Sequence, residues 1–129
     1  MKTIFIIDDD NMYQMLLSRT IRKINDQLII VSFTNGEEAL EHFGELFEQN
    51  SSLPDLVLVD INMPVLDGWQ FLEDLEIVRP GYKNEIPVYL ISTSLDENDK
   101  NKAMENKHIR DFIIKPLPTD WLEEVLKSL

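Results

Sequence analysis

The sequence predicts an α/β domain in which five strands and five helices alternate to give a doubly wound parallel sheet with helices on both faces. Short apolar, β-branched runs recur along the chain, too continuous for strands with one face in water. Between them lie longer segments whose apolar residues repeat at helical spacing. Three of the runs stop in polar residues, at Asp8-Asp9-Asp10, Asp60 and Ser92-Thr93-Ser94. In a parallel sheet those carboxyl ends share one edge, and open α/β sheets bind ligands there.

Taken in order, Thr3 to Ile7 reads as the first strand, ending at the acidic triplet. A helix follows from about Asn11 to Asn25, with Tyr13, Leu16, Leu17, Ile21 and Ile24 at helical spacing and Asp9, Asp10 or Asn11 as its cap. Leu28 to Phe33 is the second strand; Asn35-Gly36 turns the chain into a helix from Glu37 to Gln49. Leu56 to Val59 forms a third strand closed by Asp60, with Pro64 and Asp67-Gly68 preventing its continuation. A third helix spans Asp67 to about Val78, and Arg79 to Asn84 is a turn-rich connection. Val88 to Ile91, a polar helix from about Glu97 to Asn106, Ile109 to Ile114 and a last helix from Thr119 to Lys127 complete the alternation.

At 129 residues the chain fits one domain, and it can bury a core without disulfide or metal staples. The expectation is a single module over 1–129 with no output domain. Cysteine is absent, which removes thiol chemistry and suits a reducing, cytoplasmic setting. The apolar run Ile4 to Ile7 is cut off by acids too early for a signal peptide, and no stretch is long enough to span a membrane. A net charge of −12 argues against nucleic acid or anionic membranes as partners.

Aligning the strand ends gathers Asp8-Asp9, Asp60, Ser92-Thr93 and Lys115 on one edge. Crowded carboxylates repel unless a cation neutralises them. An all-oxygen site with room for water suits Mg²⁺ rather than a soft metal. Alone, the Asp8 to Asp10 triplet reads more simply as a solvated turn and helix cap. His42 and His108 have no metal-like spacing, Trp69 is expected near the site's edge, and Trp121 lies off the inner stripe of its helix as a candidate exposed contact.

These segments resemble the response-regulator receiver domains of the CheY-like family over essentially the whole chain. The matching residues are Ile6-Ile7-Asp8-Asp9-Asp10, Leu58-Val59-Asp60-Ile61-Asn62-Met63-Pro64 with Asp67-Gly68, Leu90-Ile91-Ser92-Thr93-Ser94, and Ile114-Lys115-Pro116. The resemblance implies a flavodoxin-like strand order 2-1-3-4-5. It implies Asp60 as phosphoacceptor, with Mg²⁺ held directly by Asp9, through water by Asp8, and by Asp60 and the backbone carbonyl of Asn62. Lys115 becomes the counter-charge, followed by a typically cis bond to Pro116. Ser92, with Thr93 next door, becomes the hydroxyl that turns toward the phosphate. Phe112 holds the place of a switch aromatic, often Tyr, so only a packing change can be signalled there. Asn62 and Ser94 occupy the positions that tune aspartyl-phosphate lifetime; neither offers an acid or base, so no unusually fast self-dephosphorylation is expected.

The implied function is a two-component switch, not an enzyme on outside substrates, that catalyses only its own phosphorylation and dephosphorylation. Its partners would be a sensor histidine kinase or phosphotransfer protein and a downstream protein reached through the surface of helix four, strand five and helix five. It would act as a monomer or a phosphorylation-dependent homodimer. A Mg²⁺-dependent phosphohydrolase is one alternative, but such enzymes place a second Asp where Asn62 stands and insert a cap segment. A receiver-like binding module independent of phosphate is another. Neither a Gly-x-Gly-x-x-Gly nor a P-loop pattern supports nucleotide binding.

Overall fold

The described residues, 2–93, 97–105 and 109–129 of a computed structural model, form β1 (Thr3–Ile7), α1 (Asn11–Ile24), β2 (Ile29–Phe33), α2 (Gly36–Glu48), β3 (Leu56–Asp60), α3 (Gly68–Val78), β4 (Val88–Ser92), α4 (Glu97–Glu105), β5 (Asp111–Ile114) and α5 (Thr119–Lys127). The readings made for Ser94 and His108 fall outside the described residues. All five strands pair in parallel, in the order β2-β1-β3-β4-β5.

Alternation along the central strands divides the core into two layers. Phe5, Ile7, Val57 and Val59 face a cluster completed by Phe43 of α2 and by Phe71, Leu72 and Leu75 of α3. Ile4, Ile6, Leu56 and Leu58 face the opposite cluster, with Leu17 and Ile21 of α1 and Leu122 and Leu126 of α5. Because β1 and β3 are covered on both faces, their side chains must be apolar at nearly every position, which explains the unbroken runs.

Three expectations need correction. Leu16 is 53 % exposed. The inner stripe of α1 instead runs through Gln14, Leu17 and Ile21, and Leu16 lies about 100° around the helix from Leu17. Trp121 is half-buried, its ring edge-on to Tyr89 at 5.3 Å and packed on the α1–α5 layer, so it is not a free contact. The apolar run of strand five starts at Ile109, yet β5 starts at Asp111. Ile109 still packs on the α2–α3 layer, and the first bond to β4 runs from the Arg110 N–H to the Val88 carbonyl.

Gln14 ties α1 to the sheet edge. Its side-chain NH₂ lies 3.0 Å from the Ile6 carbonyl, 3.2 Å from that of Asp8 and 2.9 Å from that of Phe33. Two hydrogens shared among three carbonyls hold the end of β1, and with it the acidic turn, against β2 and the first turn of α1.

Candidate functional site

Strand register assembles the site. Ile7 pairs with Val59, so Asp8 and Asp60 leave neighbouring strands at the same level. Asp60 pairs with Ile91, and Ser92 with Ile114, which brings the end of β4 and then Lys115 to that edge. The Lys115 N–H donates to the Ser92 carbonyl at 2.7 Å, extending the ladder past β5. The Lys115-Pro116 bond is cis.

The three acids have separate surroundings. Asp10 caps α1, its carboxylate accepting from the Tyr13 N–H at 3.1 Å. Asp8 is fully buried; one oxygen accepts from the Asp10 N–H at 3.0 Å and the other lies 2.6 Å from the Lys115 ammonium. Asp9 is exposed. Carboxylate oxygens of Asp8, Asp9 and Asp60 lie within 4.8 Å of one another. Bonds of about 2.1 Å to one Mg²⁺ would set opposite ligands about 4.2 Å apart, so a small closure fits the cluster to a hard divalent cation.

Lys115 reaches Asp60 as well, at 3.5 Å, but its closer partner is Asp8. Burial pulls its ammonium down; the hydrogen bond it donates to Asp8 and the Asp60 and Asp8 charges outweigh that and leave it raised. Asp60 is pushed up from 3.8 to about 6, first by burial and then by the Asp8 charge, with Lys115 and the Asn62 N–H acting in the other direction.

That shift carries a prediction for the metal-free protein. A carboxyl that holds its proton more tightly folded than unfolded favours the fold at low pH, and this contribution is lost as pH rises from 3.8 to about 6. Above that window the charge on Asp60 opposes folding. Asp60→Asn should therefore raise stability by on the order of 3 kcal/mol at pH 7.5, at about 1.4 kcal/mol per pKa unit, and by clearly less at pH 5. Urea melts without metal measure both; equal gains at the two pH values would contradict the electrostatic origin.

Ser92 is buried whereas Thr93 is exposed. The Asn62 side-chain NH₂ donates to the Ser92 hydroxyl at 3.3 Å, and the Asn62 N–H lies 3.4 Å from Asp60 Oδ1. Phe112 is half-buried against the α2–α3 layer. Trp69 lies on α3, its indole N–H donating to Asp99 of α4 at 3.2 Å with the Lys102 ammonium 5.7 Å from its ring. Thus Asp8, Asp9, Asp60 and Lys115 come together, with Asn62 and Ser92 joined beside them.

Sequence reasoning missed two residues here. Gln14 was invisible because a polar residue on a helix reads as solvated. Tyr13 packs on the α1–α5 layer as its spacing predicts, but its ring also meets the Lys115 ammonium, 4.5 Å from the ring centre. Its position in the first turn after the acidic triplet was the available signal.

A family model described as "Response regulator receiver domain" matches residues 4–127. A probable methanogenesis regulatory protein of Methanothrix harundinacea is 29% identical, covering 98% of this chain and 79% of that protein. The chemotaxis protein CheY of Listeria monocytogenes is 27% identical over 95% of this chain and 94% of its own length. The crystal structure of a two-component response regulator from Cytophaga hutchinsonii superposes with a TM-score of 0.88 at 29% identity, covering 98% of this chain and 95% of that one. In longer relatives the match spans as little as 7% of the protein.

Proposed function

The chain belongs to the response regulator receiver domain family of two-component systems, and from that premise we propose that Asp60 accepts a phosphoryl group from a histidine kinase or phosphotransfer protein. One observation carries the reading: a buried carboxylate at the end of β3 stands 3.5 Å from a buried lysine and shares an acidic cluster with Asp8 and Asp9.

In the proposed reaction an oxygen of Asp60 attacks phosphorus in line, forming the acyl phosphate. The P–N bond to the donor imidazole breaks, and that nitrogen keeps the electron pair. Lys115, already charged, donates to a phosphoryl oxygen. Asp8, Asp9, Asp60 and the Asn62 carbonyl would hold Mg²⁺, which when bound supplies charge neutralisation to those oxygens. Ser92 would then release Asn62 and turn its hydroxyl to the phosphate. That movement would draw in the loop after β4, let Phe112 repack, and alter the surface of α4, β5 and α5 for a downstream protein.

Incubation with Mg²⁺ and a small acyl phosphate tests this by intact mass. The expected result is one acid-stable, base-labile adduct per chain, absent on chelation and in Asp60→Asn. Sustained hydrolysis of phosphate esters would point instead to a phosphohydrolase. No adduct with either the acyl phosphate or a kinase donor would leave only phosphate-independent binding.

A further inference from the structure

We propose that Tyr13 is a positioning residue for Lys115: its ring backs the lysine ammonium while its hydroxyl holds the turn that follows the lysine. The inference rests on the phosphoacceptor reading above and adds a residue to it.

The geometry is specific to one side chain. The Lys115 ammonium lies 4.5 Å from the centre of the Tyr13 ring, 2.6 Å from Asp8 and 3.5 Å from Asp60. The lysine side chain is only 6 % exposed, so carboxylates and an aromatic face take the place of water around the charge. From the same ring, the Tyr13 oxygen accepts the Leu117 N–H at 3.2 Å, two residues past Lys115. A residue of α1 thereby fixes both the head of the lysine and the backbone beyond its root.

This matters because Lys115 must change partners. Its shortest contact is to Asp8, and a phosphoryl group on Asp60 requires the ammonium to share itself with new oxygens on the Asp60 side. A flexible four-carbon stem has many places to go. The aromatic face closes one side, and its negative quadrupole attracts a desolvated cation. Orientation of this kind enters the rate directly, since phosphoryl transfer depends on positioning and charge. The metal cluster of Asp8, Asp9 and Asp60 does not include Tyr13, so metal affinity should be untouched.

Tyr13→Leu and Tyr13→Phe separate the two halves. With saturating Mg²⁺ and a small acyl phosphate, Tyr13→Leu should be phosphorylated about tenfold more slowly, while its half-saturating Mg²⁺ concentration stays within about twofold of wild type. Tyr13→Phe keeps the ring and should recover most of the rate. Losing the hydroxyl should instead speed hydrogen exchange at the Leu117 amide. A folded Tyr13→Leu protein reacting at the wild-type rate overturns the proposal. So does Leu117 exchange left unchanged in Tyr13→Phe, a readout that survives if the leucine variant does not fold. Absence of labelling in wild type overturns the phosphoacceptor reading itself, and the exchange measurement still reports on Tyr13.

Discussion

Lys115→Ala is expected to lower the stability of the metal-free protein by about 3–5 kcal/mol at pH 7.5, the range for removing one partner from a buried ion pair. The pair is buried on both sides, with Asp8 fully inaccessible and the Lys115 side chain 6 % exposed. Removing the ammonium leaves two buried carboxylates facing each other. Lys115 itself is raised, so its contribution is present throughout the neutral range and is lost only in strong alkali. The pH dependence of the deficit therefore comes from Asp60, which without its cation is driven above its present value of about 6. The deficit should be largest above pH 7 and shrink toward pH 5, where Asp60 carries a proton. Divalent cation should restore much of the loss and bind no more weakly than in wild type, because the lysine repels it. Urea melts at both pH values, with and without Mg²⁺, read all of this. A deficit independent of pH, or metal affinity that collapses, would overturn the assignment of Lys115 as the site's counter-charge.

Gly68→Ala is expected to cost about 2–3 kcal/mol, the scale of overpacking that forces backbone to move. A Cβ at Gly68 would stand 2.7 Å from the Asp60 carbonyl oxygen and 2.9 Å from the Ile61 Cα. Both obstacles are backbone of the strand end that carries the proposed phosphoacceptor, so neither can rotate away. The Gly68 N–H donates to the Ile61 carbonyl at 2.9 Å, which sets the close approach. Phosphorylation should slow along with the loss of stability. Gly44→Ala is the control: it lies in α2 with nothing within 4 Å of the new atom, and should stabilise by up to about 1 kcal/mol. Equal effects at the two glycines in urea melts would show that backbone propensity, not the Asp60 contact, governs both.

The sheet was legible in the sequence because strands covered on both faces have no freedom to be polar. The runs ending at Ile7 and Asp60 marked their own limits. Convergence of Asp8, Asp9, Asp60 and Lys115 followed from parallel strands having aligned ends, a consequence of topology rather than of side-chain detail. What stayed hidden was decided by local exchange between polar and apolar places. Gln14 took a buried position that periodicity would give to an apolar residue, and there its amide donates to three carbonyls at the sheet edge. Trp121 turned inward because Tyr89 offers it an edge-on contact. The Asn62–Ser92 and Trp69–Asp99 bonds each join residues 30 apart, and no one-dimensional pattern encodes them.

The sheet is also unevenly sheltered. β3 is buried at every position and β1 at all but its first, whereas β5, at the rim, is at most half-covered. Asp8 and Asp60 are thus mounted on the part of the fold that opens only with the whole molecule, and Lys115 on a border whose amides should exchange through smaller excursions. A ligand that binds acids and lysine together would tie a rim strand to the firmest, so occupancy should be written in slowed exchange along β5 before any change in shape.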